Sequence, residues 1–245
     1  MQATLLLWQI FLKAAFTRWE LLLPFTVNQL LSLWVFSWGF QKIAGSEYAQ
    51  TLAIGWISFA MVTIAVISSI TLTIDLSSQK IRYWLSLPIA PGAIVLGKLL
   101  SAIVLSVVAS LFTLGLGRVL LLKLDLPQTL WILAILLLQG VTLVGLLASI
   151  SAFIRDITKI GVIVSLVVGA LQYVSVVYFP IEIFPTYLQA LIYLNPLTYA
   201  INFIRALVLS DRFDLFSLSI LVVLSVAWLI AGWAVLQRKV IYRER

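Results

Sequence analysis

YFPIEIFPTYLQALIYLNPLTYAINFIR, residues 178–205, is apolar enough for a membrane interior and too broken to be one helix. Between Glu182 and Arg205 lie 22 uncharged residues, nominally enough to cross a bilayer. Pro185 stands near the start of that run and Pro196 in its middle. Proline removes a backbone donor and clashes with the preceding turn, so a continuous helix is disfavoured. The pattern predicts two short helical pieces that dip into the membrane and return. Broken backbone survives at that depth only where protein or a water-filled cavity satisfies the freed polar groups. Such a segment points to part of a pathway.

The rest of the chain is membrane-like too. Of 245 residues, 63% are hydrophobic and 10% charged, and mean hydropathy is +1.14. Soluble domains run at roughly 45–50% apolar and 25% charged. The chain reads as a polytopic all-α membrane protein in a single domain, 1–245. Cysteine and histidine are absent. That removes disulfides, thiolate sites, the commonest metal ligand and the commonest general base. Neither a catalytic residue nor a metal site is expected. The net charge of +7 fits cytoplasmic loops rich in Lys and Arg rather than nucleic-acid binding.

Uncharged runs at 21–41, 48–74, 99–117, 126–154, 160–181 and 215–237 predict six spans, with 183–204 as the broken segment. With six spans, Lys13, Arg18, Lys80, Arg82, Lys98, Arg155, Lys159, Arg238, Lys239, Arg243 and Arg245 share one side. Lys42, Arg118, Lys123, Arg205 and Arg212 share the other. Counting a seventh span moves the tail across and spoils this asymmetry. The positive-inside rule therefore predicts six spans, cytoplasmic termini and an external hairpin at 178–210. Short outer loops at 42–50 and 118–128 are expected. Residues 2–20 read as an amphipathic helix in the cytoplasmic interface, anchored by Trp8 and Trp19.

No span contains Asp, Glu, Lys or Arg. Ion-coupled transport usually needs such a group inside the membrane. Gly92 to Lys98 matches G-x-x-x-x-G-K, but Leu99 follows where a phosphate loop needs Ser or Thr. Energy for transport must then come from a partner, which needs a docking surface. The longest candidate is 75–88, where Leu76, Ile81, Trp84, Leu85 and Leu87 offer apolar contacts and Lys80 and Arg82 polar ones. An ordinary loop helix resting on the membrane is the alternative. Around the broken segment, Asn195 is expected to cap its second helix with Pro196 in the first position. Glu182 and Arg205 flank the hairpin, as a pair or as independent charges. Tyr173, Tyr178, Phe179, Phe184, Tyr187, Tyr193, Tyr199 and Phe203 read as an interfacial belt or a gate.

This arrangement resembles the membrane subunit of the type-2 ABC exporters. The resemblance rests on Tyr178, Phe179, Pro180, Glu182 and Pro185, then Asn195, Pro196 and Tyr199, then Arg205. Leu85 to Pro88 followed by Gly97 and Lys98 resembles the end of that family's coupling helix and the start of its third span. The resemblance implies six spans, an interfacial N-terminal helix, a coupling helix at 75–88 and a re-entrant hairpin before the last span. It assigns contact with the ATPase to Lys80, Arg82, Tyr83, Trp84, Leu85 and Pro88. An outer gate falls to Tyr178, Phe179, Pro180, Glu182, Pro185, Asn195, Pro196 and Arg205. The implied partners are two separate ABC ATPase subunits, which bind the ATP and Mg²⁺, a second permease copy or relative, and the lipid bilayer. This chain itself would hold no cofactor. A prokaryotic-type inner membrane and an amphipathic drug-like or lipid-like substrate are implied. A polysaccharide or lipid-linked glycan exporter, a passive channel and a non-transport scaffold subunit are the competing readings.

Overall fold

The computed structural model describes residues 19–77, 90–120, 122, 124–154 and 157–241. The described residues hold helices and no strand. Helix α1 covers Trp19–Ala44, α2 Ser46–Ser77, α3 Pro91–Leu120, α4 Leu126–Phe153 and α5 Ile157–Tyr173. A 3₁₀ turn at Ile181–Ile183 precedes α6 at Thr186–Tyr193, α7 at Pro196–Ser210 and α8 at Leu215–Ile241. Among the described residues four stretches are long and apolar enough to cross a membrane. They are Ser46–Ile67, Gly92–Val119, Leu126–Phe153 and Leu215–Arg238, and α6 with α7 makes a fifth if that bent pair counts as one span. Helices α1 and α5 stand where the first and fifth spans are expected. The interfacial helix expected at 2–20 lies outside the described residues, except that Trp19 and Glu20 already belong to α1.

Helix α4 is the axis of the bundle. It packs against α2, α3, α7 and, most extensively, α8. Its inner face carries Ile132, Ile135, Leu136, Leu143 and Leu147, all fully buried. Small residues bring the backbones together. At Gly145 a Cβ would stand 2.4 Å from the carbonyl oxygen of Trp228, and Gly232 faces Gly145 in return. Hydrogen bonds then fasten the pair, with Thr142 Oγ1 and Ser225 Oγ 2.8 Å apart and Ser225 Oγ donating to the Leu138 carbonyl. Gln139 donates to the Ser58 carbonyl at 2.7 Å and joins α4 to α2. On the outside, Leu31, Trp34 and Val35 of α1, Val162 and Leu166 of α5, and Val223, Val226 and Ile230 of α8 are exposed. Bare apolar stripes of this kind suit lipid tails rather than water.

These contacts fix the directions of the helices. Thr142 meets Ser225 and, one turn on, Gly145 meets Trp228, so α4 and α8 run one way; α2 runs with them, since Arg205 and Leu207 bond Thr51 and Gln128 near the starts of α2 and α4 while Ser58 meets Gln139 farther on. Gly140 meets Ser106 about halfway along α3, which returns between them. One end of the bundle therefore gathers the starts of α2, α4 and α8; it also holds α6 and α7 and is called the hairpin end below.

Connections at that end are shorter than the expected loops at 42–50 and 118–128. Gly45 alone separates α1 from α2, at φ 88°, and Asp125 starts α4 five residues after α3 stops. Charged residues there are helix ends rather than loops: Lys42 lies in the last turn of α1, over the Trp38 ring, and Glu47 in the first turn of α2. Only glycine takes the left-handed conformation at low cost, which is why the break sits at Gly45. Gly45→Ala is expected to cost about 1 kcal/mol of stability and Gly45→Asn less, read from thermal unfolding in lipid nanodiscs.

Candidate hairpin site

The segment after α5 departs most from expectation. A span over 160–181 is expected, but helix α5 stops at Tyr173, and 174–180 runs without helix into the 3₁₀ turn. Its backbone is instead held by side chains from elsewhere. Asn195 Nδ2 donates to the carbonyls of Leu171 at 2.8 Å and Val174 at 2.6 Å. The guanidinium of Arg205 donates to Val177 O at 3.2 Å and to Thr51 O of α2 at 3.1 Å. Tyr48 donates from its hydroxyl to Tyr178 O at 3.2 Å. Ser175 Oγ accepts from the Val177 N–H. Close approach to α2 adds to this: a Cβ on Gly55 would lie 2.2 Å from Val177 O, so only glycine admits the bent segment here.

Each element that follows is set by local chemistry. Pro180 precedes the 3₁₀ turn and Pro185 precedes α6. Gln189 of α6 reaches back to the Phe184 carbonyl at 2.8 Å. Asn195 caps α7, its Oδ1 accepting from Leu197 N at 3.0 Å, and Pro196 occupies the first turn. Thr198 and Tyr199 donate to the carbonyls of Ile192 and Tyr193, satisfying the end of α6. The two helices meet at 94°. Helix α7 ends on Asp211 in the left-handed region, which Asp tolerates. Asp214 then starts α8 by accepting from Ser217 N at 3.1 Å.

The sequence-predicted residues thus divide into separate environments. Tyr178, Asn195, Pro196 and Arg205 converge on the junction of α2, α5 and α7. Tyr178 stacks on Tyr173 at 6.0 Å, meets Trp56 edge-on, and accepts at its hydroxyl from Gln172. Phe179, Pro180, Glu182 and Pro185 are exposed on the rim. Among the described residues Glu182 and Arg205 form no ion pair; Arg205 Nη2 bonds the two carbonyls, and its buried Nε has no partner among those residues. Of the aromatic group, Tyr173 and Tyr187 point outward, whereas Tyr199 and Phe203 are core residues. Phe203 joins Phe213 and Trp131 of α4 in a cluster that, with Gln128 Nε2 donating to Leu207 O, ties α7 to α4. Tyr48, Gly55 and Gln172 are part of the site although no motif marks them.

Lys80, Arg82, Tyr83, Trp84, Leu85 and Pro88 lie outside the described residues. Gly92 to Lys98 is helical, within the first turns of α3, and is therefore not a phosphate-binding loop.

A bundle with bare apolar faces, spans of membrane length and a bent helical pair held at one end is the structure of a multi-pass membrane protein. No curated protein matches the sequence. A family model described as ABC-2 type transporter matches residues 1–209, and the chain belongs to that family.

Proposed function

We propose that this chain is the permease subunit of an ATP-driven exporter. It crosses the membrane six times with both termini cytoplasmic, and the 178–210 hairpin re-enters from the outer face. One observation carries the hairpin reading. The chain leaves α5 and joins α8 at the same end of the bundle, with 174–178 against the first turns of α2 and Phe213 against Trp131 near the start of α4. A seventh crossing would deliver α8 to the opposite end. Length agrees: α6 is about 12 Å long and α7 about 22 Å, each short of a roughly 30 Å hydrocarbon core.

In this reading the clamped 174–180 segment and the hairpin shape the outer exit. ATP and Mg²⁺ are bound by two separate ABC ATPase subunits, and this chain holds no cofactor. The segment 75–88 docks on those ATPases through Lys80, Arg82, Tyr83, Trp84, Leu85 and Pro88. A second permease copy or relative completes the pathway in a prokaryotic-type inner membrane. The exposed aromatic residues at the hairpin end, Tyr173, Phe179 and Tyr187, suit an amphipathic drug-like or lipid-like substrate.

The test is purification of the chain from its native membrane. An ATPase subunit is expected to accompany it, and Tyr83→Ala with Trp84→Ala is expected to weaken that retention roughly tenfold, the usual scale for aromatic anchors. Thermal unfolding of the membrane domain should stay unchanged. Equal retention by the double variant would place the docking surface elsewhere, and no accompanying ATPase would favour a scaffold subunit.

A further inference from the structure

The centre of the bundle is polar at the depth where a membrane supplies least water. Ser58 stands in the middle of the Ser46–Ile67 span, Ser106 in the middle of Gly92–Val119 and Gln139 in the middle of Leu126–Phe153. All three residues are completely buried. Contacts bring them to one level. Gln139 Nε2 of α4 donates to the Ser58 carbonyl of α2 at 2.7 Å. The next residue, Gly140, faces α3, and its Cβ position lies 2.5 Å from Ser106 Oγ. The same position lies 3.8 Å from the sulfur of Met61, which follows Ser58 by one turn of α2.

Two buried polar atoms at this level, Gln139 Oε1 and Ser58 Oγ, have no hydrogen-bond partner among the described residues. They belong to two residues already joined by a hydrogen bond. Turning the amide over gives no relief, because Oε1 would then oppose the Ser58 carbonyl. Leaving such atoms unpaired is costly where lipid offers no partner. Ser106 Oγ donates to Ile103 O at 2.7 Å and keeps its lone pairs for accepting. The three atoms thus present one hydroxyl donor and two acceptors. A water molecule matches that set with three hydrogen bonds, the usual number for a buried water. No Asp or Glu lies in 48–74, 99–117 or 126–154 to offset a cation, so the fitting ligand is neutral. The close approach of Gly140 to Ser106 keeps it small.

We propose that Ser58, Ser106 and Gln139 hold one internal water molecule at the middle of the membrane. The water accepts from Ser58 Oγ and donates to Gln139 Oε1 and Ser106 Oγ, and so joins α2, α3 and α4 at one level. The site needs neither an ATPase nor a substrate, so it stands or falls apart from the exporter reading.

Met61 reports on the site. It is completely buried, and Met1 is the only other methionine in the chain. Pulsed radiolysis converts bound water to hydroxyl radicals, which oxidise a neighbouring thioether to the sulfoxide that mass spectrometry reads. In the full chain in lipid nanodiscs, Met61 is expected to oxidise at least about fivefold faster than in the Ser58→Ala, Gln139→Leu double variant, which lacks two of the three partners. Hydrogen peroxide added without radiolysis should leave Met61 of the folded wild-type chain unmodified, because no open path leads to it. Ser58→Ala alone keeps the Gln139 bond to the backbone carbonyl and with it the helix contact. This single variant is expected to lower radiolytic oxidation about threefold at unchanged thermal unfolding, and it carries the test if the double variant fails to fold. Equal radiolytic oxidation of Met61 in Ser58→Ala and in the wild-type chain would overturn the site. Peroxide oxidation of Met61 in the folded wild-type chain would overturn it as well, by showing that bulk water reaches this level.

Discussion

Arg205→Met is expected to destabilise the membrane-embedded chain by about 2–4 kcal/mol and to loosen residues 174–180. The guanidinium bonds two carbonyls that belong to different elements, Thr51 O on α2 and Val177 O on the non-helical segment. Thr51 sits inside a helix and its carbonyl keeps a backbone partner there. Val177 has no helix around it, and its side chain is fully buried. Losing the donor leaves that carbonyl short of a partner where water is scarce, which costs about 1–3 kcal/mol by itself. The rest comes from the lost charge-assisted bond to Thr51. Arg205→Lys should recover part of the loss: both bonds leave one nitrogen, Nη2, and a lysine ammonium on its different stem reaches the two carbonyls less well. Glu182→Ala, on the exposed rim, should change stability by less than about 0.5 kcal/mol. Thermal unfolding in nanodiscs measures the first quantity, and hydrogen exchange over 174–180 the second. If Glu182→Ala proved as harmful as Arg205→Met, the arginine would be acting through a carboxylate and not through these carbonyls.

What could be read from the sequence follows from where its information is local. Charges bracket the helices, so the runs at 48–74, 126–154 and 215–237 anticipate α2, α4 and α8 closely. Helices overrun those limits because Glu47, Asp75 and Arg238 extend a helix as well as they end it. Prolines stop helices through their own neighbours, and so the breaks before α6 and α7 were legible at Pro185 and Pro196. The end of α5 was not. Val174, Ser175, Val176 and Val177 continue an apolar run, and nothing adjacent forbids a helix. What ends it is a set of acceptors on that backbone matched to Asn195, Arg205 and Tyr48, donors from 21 to 130 residues away. A sequence shows charges and hides carbonyls, which is why it offers for Arg205 only a pair with Glu182 or an independent charge, and not these acceptors. Gly45 and Gly55 look alike as letters; one makes a turn and the other admits a neighbouring carbonyl. The 94° angle between α6 and α7 has the same origin, since it depends on one residue that bonds both sides of the bend.

That residue is Asn195, and Asn195→Leu should be the most damaging single change at the hairpin, costing about 3–5 kcal/mol. Its Oδ1 caps α7 at Leu197 N, a contact worth about 1 kcal/mol. Its Nδ2 donates to Leu171 O and Val174 O. Leu171 is in the last turn of α5, whose carbonyls have no intrahelical donors, and Val174 lies beyond it, so both acceptors would be left short of partners in a buried site. The variants separate the two roles. Asn195→Ser keeps the cap and loses the donors, and is expected to cost about 2 kcal/mol. Asn195→Asp keeps an even better cap acceptor but sets a carboxylate against two carbonyls, so it should be as harmful as Leu despite the cap. Wild-type stability in Asn195→Ser would show that the amide donors contribute nothing. Because Asn195 and Arg205 hold the same stretch of backbone, the double variant Asn195→Leu with Arg205→Met should fall short of additivity by about 1 kcal/mol. Once either clamp is gone the 174–180 segment is already partly released, and the second has less to lose. Strict additivity would mean that the segment is held at two independent points, and that the hairpin could move without the end of α5.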